Sequence, residues 1–288
     1  MQKHEVLADD GEILQVYSCG SGPTLLLLHG WTANHAAWSP LLALLSEKFT
    51  VLRPDARGHG THQVRVSSQP DVQRLARDVI HILDHFDLRQ VAAVGHSMGA
   101  LTLWQCVQDF GTERFSHLAF IDQSPKLMTD ATWQGGIYGD FDAEHSAQFV
   151  ADLTHDFAES VLRLGAFGLN DKARATYGRN SSGWRAAREA LGQMEPAVAI
   201  AIWKSLVAAD YRDVLPKIHL PTLLAYGTAS NFYTGTTARY VANRIPNARL
   251  TLYEGADHSP HLADPERFAA ELFALISPPA GNGGAETA

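Results

Sequence analysis

The first 122 residues alternate between short apolar runs and amphipathic segments. Apolar runs of the kind buried in a parallel sheet occur at residues 24–30 ("TLLLLHG"), 50–55 ("TVLRPD"), 90–96 ("QVAAVGH") and 115–122 ("FSHLAFID"). Segments with helical spacing separate them, such as "DVQRLARDVIHILDHF" and "SMGALTLWQCVQDF". This alternation predicts the α/β class, with a doubly wound, mostly parallel sheet and right-handed crossovers. Two shorter runs before residue 20 predict a hairpin around "DDG".

The strand pattern then disappears and later returns. Residues 123–216 carry mainly helical patterns, for example "DAEHSAQFVADLTHDFAESVLRLG", and strand patterns resume at "PTLLAYG" and "ARLTLYEG". We therefore expect a core formed by residues 1–122 and 217–277, interrupted by a helical cap at 123–216. The small, polar residues 278–288 predict a disordered tail.

Composition narrows the class of protein. With 288 residues, 45% of them hydrophobic and 19% charged, the chain can bury a substantial core. The net charge of −8 and the lack of a basic run argue against nucleic acid or an anionic membrane as a partner. Neither a signal-peptide core nor a membrane-length apolar segment is present, so we expect a cytoplasmic protein with a small-molecule substrate. Nothing in the composition indicates the oligomeric state.

The motif "GHSMGA" carries the first chemical signal. Gly95, Ser97 and Gly99 form a Gly-x-Ser-x-Gly pattern between a predicted strand and a predicted helix. This is the context of a nucleophile elbow, a sharp turn in which flanking side chains would collide with neighbouring backbone. We therefore predict Ser97 as a nucleophile; the alternative is a merely structural glycine-rich turn.

A candidate general base follows the last predicted strand. In "GADHSPHLADPERF", His258 comes just after the strand, whereas His261 lies three residues further on, close to the next helix. A base must reach the serine hydroxyl, so we favour His258. His261 is then expected to form a pocket wall or to cap the helix.

A third motif, "LLLLHGWTANHAAW", suggests how an oxyanion could be bound. It brings the backbone N–H of Trp31 near the elbow, and the backbone N–H of Met98 would supply a second donor. The Trp31 side chain is either a core aromatic or a pocket wall.

Together these motifs resemble the α/β-hydrolase superfamily almost from end to end, through "DGEILQVYSCGSGPTLLLLHGW", "RPDARGHG", "GHSMGA", "PTLLAYG" and "GADHSPH". The resemblance implies the α/β-hydrolase fold. It does not specify the reaction, because the superfamily includes esterases, lactonases, perhydrolases and cofactor-free dioxygenases.

The chain departs from the family at the usual position of the triad acid. After "PTLLAYG", Ser230 and Asn231 stand where the family usually has an aspartate, and neither carries a negative charge. Our candidate is Asp122, at the end of the strand that follows the elbow helix, because neighbouring parallel strands end at the same edge of the sheet. Some dehalogenases and the quinolone dioxygenases resemble this arrangement. The alternative is that Asp122 only caps the following segment.

Other polar residues receive structural interpretations. Asp257 adjoins His258, but adjacent side chains in an extended loop usually diverge, and Asp55 in "RPDARGHG" is expected to shape a loop. His81 and His85 have metal-binding spacing on a helix, but no third ligand motif accompanies them. The two cysteines, Cys19 and Cys106, are expected to be buried thiols. We expect two or three of the following cap aromatics to touch substrate: Trp133, Tyr138, Phe141, Phe149, Phe157, Phe167, Tyr177 and Trp184.

The leading hypothesis is a serine hydrolase that cleaves a small, largely apolar ester or lactone through an acyl-enzyme on Ser97, without a metal or organic cofactor. The alternative is a cofactor-independent dioxygenase of 3-hydroxy-4-quinolone type, or a perhydrolase of the non-haem chloroperoxidase kind. A catalytically inactive binding protein is a third possibility, disfavoured by the intact Ser97 and His258. The carboxylate nucleophile of haloalkane dehalogenases and epoxide hydrolases is absent from the elbow.

Overall fold

The computed structural model describes residues 1–60 and 70–277, which form an eight-stranded sheet in the order β1-β2-β4-β3-β5-β6-β7-β8. The strands are β1 Gln2–Leu7, β2 Ile13–Cys19, β3 Thr24–Leu28, β4 Thr50–Asp55, β5 Val91–His96, β6 Phe115–Ile121, β7 Thr222–Gly227 and β8 Ala248–Tyr253. Strands β1 and β2 pair antiparallel with their neighbours, and all other pairs are parallel. The predicted fold class is confirmed.

Eleven α-helices lie in the described residues, together with short 3₁₀ turns. They are α1 Leu42–Leu45, α2 Val72–His85, α3 Met98–Phe110, α4 Ala143–His155, α5 Phe157–Ala166, α6 Asp171–Gly178, α7 Ser182–Leu191, α8 Pro196–Ala208, α9 Gly235–Arg244, α10 Pro260–Ala263 and α11 Pro265–Ile276. None of the described helices has the length and apolar character needed to cross a bilayer.

The apolar strands divide their side chains between two hydrophobic layers. In β3, Leu26 and Leu28 pack on the side that holds α2 and α3, while Leu25 and Leu27 pack on the opposite side with Trp38 of the turn before α1. Successive side chains of a strand point to opposite faces, so a continuous apolar run serves both layers. This explains why the central strands lack polar alternation.

The sheet is interrupted between β6 and β7, where helices α4 to α8 are inserted. Because β6 and β7 are parallel neighbours, the inserted chain leaves and re-enters the sheet at adjacent positions. The helical pattern at residues 142–165 forms two helices, since the Asp156 side chain accepts a hydrogen bond from the Glu159 N–H and begins α5. The predicted tail at 278–288 lies outside the described residues.

Candidate functional site

Ser97 occupies a sharp turn between β5 and α3. Its backbone has φ 53° and ψ −115°, a conformation that side chains rarely adopt. A Cβ on Gly95 would lie 2.5 Å from backbone atoms of the first turn of α3, and a Cβ on Gly99 would lie 2.2 Å from the Leu28 carbonyl oxygen. Only glycine fits at both positions, and the close packing holds the serine at the turn.

His258 and Asp122 are joined by a short hydrogen bond. The His258 Nδ1 lies 2.6 Å from Asp122 Oδ2, and the Asp122 side chain is fully buried. Two further donors reach this carboxylate: the Gly227 backbone N–H at 3.2 Å from Oδ1 and the Ser230 hydroxyl at 2.6 Å from Oδ2. Three donors therefore fix the position of this buried carboxylate beside the imidazole.

The residues at the usual acid position support this pair. Ser230 donates to the Asp122 carboxylate, and Asn231 accepts a hydrogen bond at 3.2 Å from the His258 backbone N–H. Asp257, the rival acid, is exposed and accepts a hydrogen bond from the backbone N–H of Ser259. The structure therefore brings Asp122 to His258 and leaves Asp257 outside the contact.

Two further histidines lie close to His258. His96 Nε2 donates to the His258 carbonyl oxygen at 2.9 Å, and the His261 ring centre is 4.8 Å from that of His96. Burial, reinforced by the neighbouring histidines, lowers the pKa of His96 well below its usual range. Burial also lowers the pKa of His261 to about 3. His261 packs in the core against Trp38 and does not line the cavity, so the expectation of a pocket wall is wrong.

The residues of the two predicted oxyanion donors, Trp31 and Met98, line the same cavity as Ser97. Met98 is the first residue of α3, so its backbone N–H has no intrahelical acceptor. Trp31 follows β3, and its indole N–H donates to the Ala199 carbonyl of α8 at 3.0 Å. Asp55 has the structural role expected of it, since it accepts hydrogen bonds from the loop residue His35.

Ser97 and His258 line a cavity of about 180 Å³, and Trp31 and Met98 line it as well. Half of its apolar and aromatic lining comes from the inserted segment: Leu127, Ile137, Val161, Leu164, Trp203 and Leu206. The inserted helices thus cover the carboxyl ends of the parallel strands, where ligands of open α/β sheets bind.

The expectation for the cap aromatics is wrong. None of the eight named above lines this cavity; several of them, such as Phe141 and Phe149, pack inside the inserted segment. The aromatic side chain that α8 contributes is Trp203, whose ring lies 4.6 Å from that of Trp31. The almost uninterrupted apolar pattern of "AVAIAIW" could have pointed to Trp203 as a cavity residue. A helix that is apolar on all sides contacts neighbours on every face. Sequence reasoning also missed Gln123 and Tyr233, which line the cavity.

No group of three or more His, Cys, Asp or Glu side chains is arranged to hold a metal ion within residues 1–60 and 70–277. His81 lies 3.1 Å from the carboxylate of Asp9, an ion-pair contact on the helix surface. Both cysteines are free thiols; Cys106 is buried, which raises the pKa of its thiol, while Cys19 is half-buried.

This fold and site define an α/β hydrolase in which a buried aspartate is hydrogen-bonded to a partly exposed histidine, near a serine elbow. The sequence profile of the family described as "alpha/beta hydrolase fold" matches residues 23–265. The chain therefore belongs to the α/β-hydrolase family, which confirms the resemblance seen in its motifs.

Individual relatives differ in the reaction their names describe. A pimeloyl-(acyl-carrier protein) methyl ester esterase of Vibrio vulnificus is 26% identical over 258 residues, which cover 89% of this chain and 95% of the relative. A non-heme haloperoxidase of Rhodococcus erythropolis is 27% identical over 281 residues, which cover 94% of this chain and 98% of the relative. The structure of an esterase from Exiguobacterium antarcticum superposes with a TM-score of 0.82 at 21% identity, over 95% of this chain and 98% of the esterase. This similarity shows that the two proteins share a fold.

Proposed function

We propose that this protein is a serine hydrolase that cleaves a small, largely apolar carboxylic ester or lactone through an acyl-enzyme on Ser97. That it is an ester-hydrolysing enzyme follows from its family match and from the esterases among its relatives. The observation that supports an acyl-enzyme on Ser97 is the 2.6 Å contact between His258 and Asp122. His258 and Ser97 line the same cavity.

In the proposed mechanism, His258 accepts the Ser97 proton on Nε2, because Nδ1 is engaged by Asp122. The serine oxygen then attacks the ester carbonyl carbon. The negative charge that develops on the carbonyl oxygen is bound by the backbone N–H groups of Trp31 and Met98. His258 next returns the proton to the leaving alcohol, and the acyl group stays on the serine.

Water completes the cycle. His258 removes a proton from a water molecule, the resulting hydroxide attacks the acyl carbonyl, and the acid product leaves as Ser97 regains its proton. The buried Asp122 carboxylate stabilises the imidazolium that forms in both steps. We propose that the inserted helices act as a cap that limits substrate size and excludes bulk water during this cycle.

The test is nitrophenol release from a short-chain nitrophenyl ester, with the wild type and with Ser97→Ala, under air and without added metal. A fluorophosphonate probe and intact-mass measurement give a second readout. We expect one phosphonyl adduct on the wild type and on Ser116→Ala, a control at the far end of β6, and none on Ser97→Ala. Equal turnover by wild type and Ser97→Ala would contradict the proposal and direct attention to oxygen uptake with hydroxyquinolones.

A second candidate activity is perhydrolysis, favoured by the haloperoxidase among the relatives. Here hydrogen peroxide replaces water as the acyl acceptor, so that the acyl-serine is converted to a peracid and free serine. Peracid formed from acetate and hydrogen peroxide would oxidise bromide, which a bromination assay detects. Dependence of that bromination on Ser97 is expected, because the acyl-enzyme is common to both reactions.

A further inference from the structure

The residue that follows Asp122 places a polar group in the apolar cavity. Gln123 is 2% exposed and lines the cavity together with Ser97 and His258. Its Oε1 accepts hydrogen bonds from the Ser124 backbone N–H at 2.7 Å and from a tyrosine hydroxyl. Because a backbone N–H can only donate, the atom facing Ser124 is the oxygen, and this identifies the other end of the carboxamide as Nε2.

Gln123 is held at both its side chain and its backbone. The Tyr233 hydroxyl donates to the side-chain Oε1 at 2.5 Å, and the Tyr226 hydroxyl donates to the backbone carbonyl oxygen of Gln123, also at 2.5 Å. Both tyrosines are buried, with 6% and 2% exposure. The amide is therefore oriented before any ligand arrives, which is how binding sites reduce the entropy lost on association.

The Nε2 group of Gln123 has no acceptor among the described residues, and the buried indole Nε1 of Trp203 in the same cavity wall also lacks one. Two other polar groups of the wall are paired within the protein. Thr32 Oγ1 donates to the Trp31 carbonyl oxygen at 2.6 Å, and His96 donates to the carbonyl oxygen of His258. A donor that is nearly buried and unpaired costs free energy unless a ligand or water supplies the acceptor. The amide thus offers its N–H groups to the cavity contents.

We propose that Gln123 Nε2 donates a hydrogen bond to an acceptor oxygen of the substrate other than the scissile carbonyl oxygen. The inference rests on the proposed hydrolase function and narrows its substrate class to esters or lactones that carry a second acceptor oxygen, such as an ether or a ketone. The rest of the substrate contacts the apolar walls formed by residues such as Leu127 and Trp203. A site that hydrogen-bonds a substrate oxygen discriminates strongly against the analogue that lacks it.

The test uses two pairs of esters that differ by replacement of one methylene by oxygen. Nitrophenyl butanoate and nitrophenyl methoxyacetate vary the acyl side; butyl acetate and 2-methoxyethyl acetate vary the alcohol side. The quantity measured is the ratio of kcat/KM for the oxygenated ester to kcat/KM for its all-carbon partner. Dividing the wild-type ratio by that of a variant cancels the intrinsic reactivity of the two esters.

The variants are Gln123→Leu, which removes the amide, and Gln123→Glu at pH 9, which keeps an acceptor for Ser124 and Tyr233 and presents a carboxylate to the cavity. The matched control is Gln148→Leu, the same substitution at an exposed glutamine of α4 that does not line the cavity. Circular dichroism and melting curves establish that each variant is folded, and Gln123→Glu decides the question if Gln123→Leu fails to fold.

We expect the ratio to fall about tenfold in at least one ester pair for the Gln123 variants and to stay within about twofold for Gln148→Leu. The pair that responds identifies the side of the ester that carries the acceptor. An unchanged ratio in both pairs, or an equal fall in the control, would overturn the inference. Absence of turnover for every ester, or turnover that persists in Ser97→Ala, would instead contradict the proposed function.

Discussion

Replacement of Asp122 by asparagine is the sharpest test of the acid assignment, because the surrounding donors determine how the new amide must lie. Oδ1 of Asp122 accepts from the Gly227 N–H at 3.2 Å, and Oδ2 faces both His258 Nδ1 and the Ser230 hydroxyl at 2.6 Å. An NH₂ turned towards Gly227 would face a backbone N–H, which can only donate, whereas the Ser230 hydroxyl and His258 Nδ1 can each become an acceptor. The introduced oxygen therefore stays at Gly227, and the introduced NH₂ faces the imidazole.

An NH₂ at that position requires His258 Nδ1 to act as an acceptor, which moves the ring proton to Nε2. That nitrogen then cannot accept the Ser97 proton. The equivalent change in a serine protease lowers kcat about 10⁴-fold through the wrong tautomer. We expect a fall of about 10³–10⁴-fold for Asp122→Asn, which is roughly 4–5.5 kcal/mol of transition-state stabilisation.

The assay is nitrophenyl ester hydrolysis, with circular dichroism to establish that the isosteric variant is folded. Asp257→Asn is the matched control, since Asp257 is exposed and contacts the Ser259 N–H; its kcat should stay within about threefold of the wild type. Adding Ser230→Asp to Asp122→Asn should recover at least about tenfold, because a carboxylate at residue 230 returns an anion next to the imidazole. Folded Asp122→Asn that keeps more than a tenth of the activity would refute the reasoning.

Three further predictions concern contacts around the site and at the sheet edge. Ser230→Ala removes a donor to the Asp122 carboxylate and should lower kcat about tenfold with little change in KM; a kcat within twofold of the wild type would contradict this role. Trp31→Phe keeps the oxyanion-hole backbone but loses the indole bond to Ala199, so calorimetry should give a melting temperature lower by about 2–4 °C. Hydrogen bonds from Arg57 lower the pKa of Asp10 from 3.8 to about 2, so this carboxylate stabilises the fold above about pH 4 and loses that effect as the pH falls towards 2. Asp10→Asn should therefore reduce the free energy of unfolding at pH 7 by roughly 1–2 kcal/mol, and urea titrations should show this difference shrinking as the pH approaches 2.

Much of the fold follows from local pattern. Each of the eight strands lies where an apolar or alternating run predicts one, and the elbow occurs where Gly95, Ser97 and Gly99 require a turn too tight for side chains. These features depend on side-chain periodicity and on backbone sterics, which act over a few residues. The parallel pairing of the central strands follows from the same alternation of strands and helices.

The contact between Asp122 and His258 was predictable for a related reason. Parallel strands end at one edge, so Asp122 after β6 and His258 after β8 had to lie on the same side of the sheet. The part played by Ser230 was not predictable, because its hydroxyl acts on Asp122 across 108 positions of sequence. A serine carries no local signal that distinguishes a donor to a buried carboxylate from an ordinary loop residue.

The sequence by itself therefore determined the α/β architecture, the serine elbow and the neighbourhood in which an acid and a base would meet. Only the tertiary structure decided which side chains form the cavity. Trp203 faces it while the other cap aromatics named above pack elsewhere, and the amide of Gln123 is oriented by Ser124 and Tyr233. The reason is physical: periodicity shows that a helix face is apolar, but the partner that buries it depends on how distant elements pack.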